Sequence, residues 1–389
     1  MRKNQPWLKW DSRQKPIWIH CASGEFEYAK PVIRALKSRY PALKIMVTYF
    51  SPSVANAAAK YPGVDFAAPL PWERADDLKE FIRHHEPRAL LIARTDTWPE
   101  MLKQAHDSEI PTLLFSATLS PQSGRARGLG QWISRIVFGN LSAVFCVTSE
   151  DRDVFSALGF ADRTTVAGDT RYDQVMERLQ NPKPLKDALF SEQPREFVLV
   201  AGSSWPEDEI VLLELAAREP ELRLVLVPHE PTDSHIASII SQLSQKGLTC
   251  VRYSQATTWP RATRVLVVDQ VGILAELYEK GRFAFVGGSF RKTVHSVMEP
   301  LAAGCITFVG PLHANNREAL EFRTLQIAAD TELTCVQSVK DVPEFSKFLH
   351  EALEMSPQKA HEASRSIREQ IKKRSGKSAA VVDWVSKYL

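Results

Sequence analysis

Ile17-Trp18-Ile19-His20-Cys21-Ala22-Ser23-Gly24-Glu25-Phe26-Glu27 is an apolar run that empties through small residues into two glutamates. The run reads as a strand buried on both faces. The small residues read as a strand-to-helix turn at which a backbone can approach a ligand closely. A second stretch opens the same way: Phe197-Val198-Leu199-Val200-Ala201-Gly202-Ser203-Ser204-Trp205-Pro206-Glu207-Asp208-Glu209, where Pro206 starts a helix. Two such openings far apart in one chain predict two α/β lobes.

Further Val, Ile, Leu and Phe runs extend outward from the first opening: residues 45–50, 89–93, 112–115 and 143–147. Helical periodicity lies between them, over 29–38, 53–60, 74–85 and 150–158. Strands alternating with helices predict a parallel sheet covered on both faces. After Asp173 the rhythm pauses at Asn181-Pro182-Lys183-Pro184 and Gln193-Pro194. It then resumes with runs at 197–201, 222–227, 249–253, 265–268, 283–286 and 306–309. The expected organisation is therefore a doubly wound first domain over 1–175, a Pro-rich linker over 176–195 and a second domain over 196–389. The two domains are expected to face each other across a cleft, with ligands at the carboxyl ends of the strands. Val381, Val382, Trp384, Val385 and Leu389 form one helical stripe, which either caps the second domain or returns to the first.

With 389 residues, 24% charged and 44% hydrophobic, the chain has ordinary globular composition, and disorder, collagen and coiled-coil readings fall away. Lys plus Arg number 49 against 46 acidic residues, a balance that excludes a dedicated nucleic-acid binder. Five dispersed cysteines without CxxC spacing encode neither a disulfide framework nor a zinc site. Arg2, Lys3, Lys9, Arg13 and Lys15 against Asp11 make a basic tail. Trp7 and Trp10 within it either fold down onto the protein or suit a lipid headgroup region. No apolar run is long enough to span a bilayer. P-loop, HExxH and GxSxG patterns are all missing, so NTPase, metalloprotease and ordinary serine-hydrolase readings lack support, and no metal site is expected.

Several strand ends carry residues able to do chemistry. Glu25 is a candidate general base if apolar packing raises its pKa; otherwise it is a first-turn glutamate favoured by the helix dipole. Gly202, Ser203 and Ser204 offer N–H groups and hydroxyls at a helix start, which suits a phosphate or an ordinary Ser cap. Phe285-Val286-Gly287-Gly288-Ser289-Phe290-Arg291-Lys292-Thr293-Val294-His295-Ser296-Val297-Met298-Glu299-Pro300 is the densest run. Arg291 and Lys292 can neutralise a phosphate. Glu299, one helical turn beyond His295 and expected on the same face, can accept hydrogen bonds from a ribose diol. The combination suits a nucleotide-sugar site; a helix N-terminus with solvated cations is the plain alternative. Arg94 and Asp96 follow another strand with Trp98 available to stack on a sugar ring, unless Arg94 and Asp96 form a buried pair. Arg171, in Gly168-Asp169-Thr170-Arg171-Tyr172-Asp173, either lines a hinge and meets an anion or bridges the domains. Residues 125–138 combine three arginines with Trp132, Ile133 and Phe138, which suits an acceptor bearing phosphates and acyl chains or an ordinary amphipathic helix.

These motifs, in this order, resemble the 3-deoxy-D-manno-octulosonic acid (Kdo) transferases. The resemblance rests on Ile17 through His20 to Gly24-Glu25, Trp98-Pro99, Val166 to Asp173, Ala201-Gly202-Ser203, Val268-Asp269 with Gly272 and Leu277-Tyr278, Phe285 to Gly288, His295 with Glu299-Pro300, and Gly310-Pro311 with Asn315. It implies a GT-B architecture of two Rossmann-like domains and an inverting, metal-independent transfer of Kdo from CMP-Kdo to a lipid A precursor (lipid IVA) in lipopolysaccharide synthesis. CMP-Kdo is then the donor substrate, and no cofactor and no nucleic acid take part. Carried over by motif, Glu25 is the catalytic base. Gly202, Ser203, Ser204, Gly287, Gly288, Arg291, Lys292, His295, Ser296, Glu299 and Asn315 hold the donor, while Ser23, Gly24, Arg94, Asp96 and Trp98 meet the acceptor. The implied location is peripheral, at the cytoplasmic face of the inner membrane. Two other readings stand beside it: a GT-B transferase or epimerase with a different donor, and a catalytically silent nucleotide-sugar-binding module.

Overall fold

A computed structural model describes residues 7, 10 and 14–389. It divides into two units. One runs to Gln174 and takes in Arg374–Leu389; the other is Val175–Lys373.

The first unit is built on β1 (Ile17–Cys21), β2 (Ile45–Tyr49), β3 (Phe66–Pro69), β4 (Ala89–Ala93), β5 (Thr112–Ala117), β6 (Ala143–Cys146) and β7 (Thr164–Val166), in the order β3-β2-β1-β4-β5-β6-β7. All pairs are parallel, with Ile19 beside Val47 on one side and Leu91 on the other. Helices on both faces explain why β1, β2 and β4 are buried at every position. The helix Phe26–Arg39 sets Phe26, Ala29, Val32, Ile33 and Leu36 against the sheet, with Glu27 in its first turn and Lys37 and Arg39 in its last, as the helix dipole favours. Strand order reverses between β1 and β4. In sheets of this kind that reversal opens a crevice at the carboxyl ends.

The second unit repeats the plan with β8 (Val198–Ser204), β9 (Arg223–Pro228), β10 (Cys250–Arg252), β11 (Val265–Val267), β12 (Phe283–Val286), β13 (Ile306–Val309) and β14 (Val336–Ser338). Their order is β10-β11-β9-β8-β12-β13-β14, again all parallel. Here the reversal lies between β8 and β12. Two Rossmann-like lobes are the GT-B plan.

Two boundaries differ from the sequence reading. The expected linker 176–195 begins inside the helix Arg171–Gln180 and is tied to the second lobe: Arg178 pairs with Glu276 at 3.1 Å, the Lys186 N–H donates to Tyr253 Oη at 3.1 Å, and Leu189 is fully buried. Prolines there shape a packed surface strap. The second domain does not run to 389 either. The helix Ser378–Val385 buries Val381, Val382, Trp384 and Val385 in the first lobe's core, and Asp173 accepts hydrogen bonds from the N–H groups of Lys377 (3.2 Å) and Ser378 (2.7 Å).

Of the amino-terminal tail, Arg2, Lys3, Lys9, Asp11 and Arg13 lie outside the described residues. Trp7 is only 3% exposed and Trp10 stacks on Phe66 at 5.2 Å, so both aromatics serve the first lobe's core. With Phe81 they surround the buried His85 ring. Burial, with the neighbouring His84 adding, pulls the His85 pKa down to about 4. In the unfolded chain this histidine takes up a proton below about pH 6.5, whereas the folded chain refuses it until about pH 4. Stability is therefore expected to fall as pH drops across that window, by about 3 kcal/mol from this residue. Urea denaturation of the wild type and of His85→Phe between pH 7 and 4.5 checks this: the variant should show a flatter dependence.

Among the described residues, no helix is long and apolar enough to cross a membrane.

Candidate functional site

In the first lobe the chain leaves β1 through Ala22-Ser23-Gly24, and Glu25 takes the position before the first helical residue. Its carboxylate folds back to accept the Ser23 N–H at 2.9 Å, so the acid is held over the turn while remaining partly exposed. Asp96 arrives from the loop after β4, on the other side of the strand-order reversal. The two carboxylates converge on the end of β1: the buried Cys21 thiol is pushed well up by burial first, and then by Glu25 and Asp96.

Asp96 is held by a chain of buried groups. Trp18 Nε1 donates to Thr48 Oγ1 (2.8 Å), Thr48 Oγ1 meets His20 Nδ1 (2.9 Å), and His20 Nε2 meets Asp96 Oδ2 (3.1 Å). The Thr48 oxygen already accepts from Trp18, so its own proton suits His20 Nδ1. The His20 proton then sits on Nε2 and points at the carboxylate. Asp96 is not buried against Arg94: no ion pair joins them, and Arg94 instead lies over the Tyr28 ring (5.1 Å) with Arg171 also against that ring (5.4 Å). Arg171 thus belongs to the first lobe, where its Nη1 donates to Tyr28 Oη at 3.3 Å. Arg94 has a left-handed φ of 61°, a conformation that costs a non-glycine residue energy and recurs at functional sites. Trp98 stacks on the half-exposed Phe50 at 5.0 Å and donates Nε1 to Asp96, making an aromatic ledge beside the carboxylates.

In the second lobe β8 ends in Gly202-Ser203-Ser204 and β12 runs out into Gly287-Gly288, side by side across the reversal, with Val286 paired to Gly202. Ser203 has φ 54° and remains partly exposed. Ser204 turns inward and donates to Glu209 at 2.9 Å, so its hydroxyl belongs to the core rather than to a ligand. The paired glycines do not leave open space at this turn. A Cβ at Gly287 would sit 2.2 Å from the Ser203 carbonyl oxygen, and one at Gly288, where φ is 85°, would sit 2.1 Å from that of Thr293. They let two backbones touch.

Buried Asp208 fixes that contact, accepting N–H groups from Trp205 (3.0 Å), Gly288 (2.7 Å) and Phe290 (3.0 Å). Beyond it, Trp205, His229 and His295 stack at 4.8 and 4.5 Å, Trp205 Nε1 donates to His295 Nε2 at 3.2 Å, and the Arg291 guanidinium lies 4.0 Å over the Trp205 ring. Burial, then the adjacent His229, lowers the His295 pKa, which keeps the imidazole neutral and able to accept from Trp205. Lys292 is exposed, and Ser296 Oγ accepts the Met298 N–H at 3.3 Å. His295 and Glu299 do not share a helical face. The helix begins only at Met298, and Glu299 lines a small cavity with Arg178, Leu179, Ala275, Glu276 and Glu279. Asn315 is exposed. Its neighbour Asn316 does the anchoring, with Nδ2 donating to the His295 carbonyl at 2.8 Å and Oδ1 accepting from the Ala319 N–H at 2.8 Å.

Sequence reasoning missed His20, Thr48, His229 and Asn316. It also gave no role to Asp208 and Glu209, first-turn acids that are at most 1% exposed. The available signal was position: each of these residues stands at or just past the carboxyl end of a strand, or in a loop that such a strand feeds.

Residues 2–174 match a family model described as 3-deoxy-D-manno-octulosonic-acid transferase (kdotransferase). A 3-deoxy-D-manno-octulosonic acid transferase of Haemophilus influenzae is 27% identical over 298 residues, 74% of this chain and 68% of the relative. That of Rickettsia felis is 26% identical over 314 residues, 78% of this chain and 65% of the relative, so the match spans about two thirds of these proteins. Among solved structures, UDP-GlcNAc 2-epimerase from Neisseria meningitidis bound to UDP-GlcNAc superposes with a TM-score of 0.63 at 16% identity, over 92% of this chain and 97% of that one. At that identity the likeness is one of fold.

Proposed function

Since this chain is a relative of the Kdo transferases, and by that family a glycosyltransferase, we propose that it moves Kdo from CMP-Kdo to a lipid A precursor. The observation carrying the reading is that both openings singled out in the sequence sit at strand-order reversals, one holding Glu25 and Asp96 and the other holding the Gly-rich turn, Arg291 and His295. In the proposed reaction an acceptor hydroxyl oxygen attacks the anomeric carbon of Kdo with inversion. The bond from that carbon to the CMP phosphate breaks, and Glu25 takes the hydroxyl proton. Asp96, aimed by His20, and Trp98 orient the acceptor sugar.

On the donor side, Gly202, Ser203 and the Gly287-Gly288 turn receive the phosphate, and Glu299 accepts hydrogen bonds from the ribose. Arg291 and Lys292 take up the charge that grows on departing CMP, in keeping with the metal-independent chemistry the family resemblance implies. Ser204 is left out of this set because its hydroxyl is committed to Glu209. Asn316 replaces Asn315 as the residue that shapes the His295 loop. Calorimetry with CMP and UDP tests the donor: CMP should bind more tightly, and a UDP preference would favour an epimerase-like or different-donor enzyme.

The acceptor carries acyl chains, and the helix Gly128–Phe138 suits such a partner. It buries only Ser134, Val137 and Phe138 while Leu129 (75%), Trp132 (61%), Ile133 (48%) and Ile136 (55%) stand exposed beside Arg125, Arg127 and Arg135. In our reading this face lies on the anionic cytoplasmic leaflet of the inner membrane. The protein should float with anionic vesicles at low salt, and Trp132→Glu with Ile136→Glu should abolish flotation without lowering the melting temperature. Flotation unchanged in that double variant would assign the face to something other than lipid.

A further inference from the structure

The second lobe holds a cavity of about 510 Å3 at the opposite end of its sheet from the glycine turn. Phe197 precedes β8, Arg282 precedes β12 and Gly304 precedes β13, and all three line it. The four residues of β12 alone put roughly 13 Å between this cavity and Gly287. A volume of this size is that of a small-molecule site.

Two guanidinium groups stand in its wall, Arg195 and Arg282, and neither forms an ion pair with a carboxylate among the described residues. Main-chain carbonyls hold them instead: Arg195 donates to the oxygens of Glu279 (3.1 Å) and Ala303 (3.4 Å), and Arg282 to that of Ala352. A third, Arg368, donates twice to the same Ala303 oxygen, at 3.1 and 2.8 Å. Gly304 is what lets this cluster close, since a Cβ there would lie 2.7 Å from Arg368 Nε. Carbonyls orient a guanidinium but leave its charge uncompensated. The one carboxylate in the wall, Glu196, is exposed. Burial pulls the Arg282 pKa below its ordinary value; Glu196 opposes that shift, and Arg195 adds to it by less than Glu196 takes away. The helix Pro357–Arg374 adds His361 to the wall and has no acid in its first turn, while Leu353 and Met355 supply an apolar wall.

We propose that this cavity is a second ligand site, separate from the one assigned to the donor, for a small phosphorylated molecule whose phosphate pairs with Arg195 and Arg282 and whose body packs on the apolar wall. It does not depend on the identity of the sugar donor.

The probe is inorganic pyrophosphate, titrated calorimetrically into the full chain already saturated with CMP, so that any phosphate-binding turn at the other end of the sheet is occupied. Saturable binding is expected, weakened on the order of tenfold or more by Arg282→Gln and by His361→Glu. His361 is exposed, so its variant keeps the test decisive if loss of the Arg282–Ala352 bond unsettles the fold. No saturable binding to the CMP-loaded wild type up to about 10 mM pyrophosphate overturns the proposal. Binding equal in wild type and in His361→Glu overturns it as well.

Discussion

Glu25→Gln is expected to lower Kdo transfer by about 10²- to 10⁴-fold while leaving CMP affinity within twofold of wild type. A sugar hydroxyl is a poor nucleophile at neutral pH, and an acid placed to receive its proton as the new bond forms makes up much of the difference. The amide is nearly isosteric and can still accept the Ser23 N–H through its oxygen, so the turn should survive and only the basic oxygen is lost. CMP affinity should be untouched because Glu25 belongs to the first unit, whereas the residues assigned to the nucleotide all fall in Val175–Lys373. Asp96→Asn is the comparison that decides between the two acids. We expect it chiefly to raise the acceptor KM, since His20 and Trp98 tie Asp96 through one oxygen into a fixed position. Near-normal turnover in Glu25→Gln together with collapse in Asp96→Asn would transfer the base role to Asp96.

The second large effect is expected from Asp208→Asn, which should weaken CMP binding at least tenfold without lowering the rate at saturating donor by as much. The buried carboxylate gathers three backbone N–H groups from two loops. An asparagine must turn its NH2 toward at least one of them, leaving a buried donor unpaired at a cost of about 1–3 kcal/mol. Release of Gly288 or Phe290 would let the turn that carries Arg291 move away from β8. Gly287→Ala should act in the same direction for a steric reason, as its Cβ has 2.2 Å to the Ser203 oxygen. Circular dichroism separates the local effect from unfolding. CMP affinity equal to wild type in a folded Asp208→Asn protein would remove the glycine turn from donor binding.

The sheet centres were legible in the sequence, and the missing strands were edges. β1, β4, β5, β8, β12 and β13 are continuous apolar runs because helices cover both their faces. The strands not anticipated, β3, β7 and β14, each stand at the margin of a sheet. Phe-Ala-Ala-Pro in β3 is only partly buried, and Thr165 and Val166 in β7 are exposed, so neither pattern carries the signal of a core strand. The linker was misplaced for a related reason: prolines mark breaks in regular structure, and here the broken segment is packed down by Arg178, Lys186 and Leu189 instead of hanging free.

At the sites, strand ends located the turns correctly, but spacing failed where its premise failed. His295 and Glu299 are four apart, yet no helix joins them, so the i,i+4 argument had nothing to act on. Likewise a buried first-turn acid looks the same in sequence as an exposed one. Asp208 is distinguished only by the loops that arrive from residues 288 and 290. His20 was embedded in an apolar run, where burial was legible and its partner 76 residues away was not.

Incubation of the protein with CMP-Kdo and lipid IVA, followed by mass spectrometry of the lipid, bears most directly on the reaction proposed. The account predicts a lipid heavier by one or more Kdo units, formed together with free CMP and lost in Glu25→Gln. An unchanged lipid with intact CMP-Kdo, from folded protein that binds UDP in preference to CMP, would contradict it.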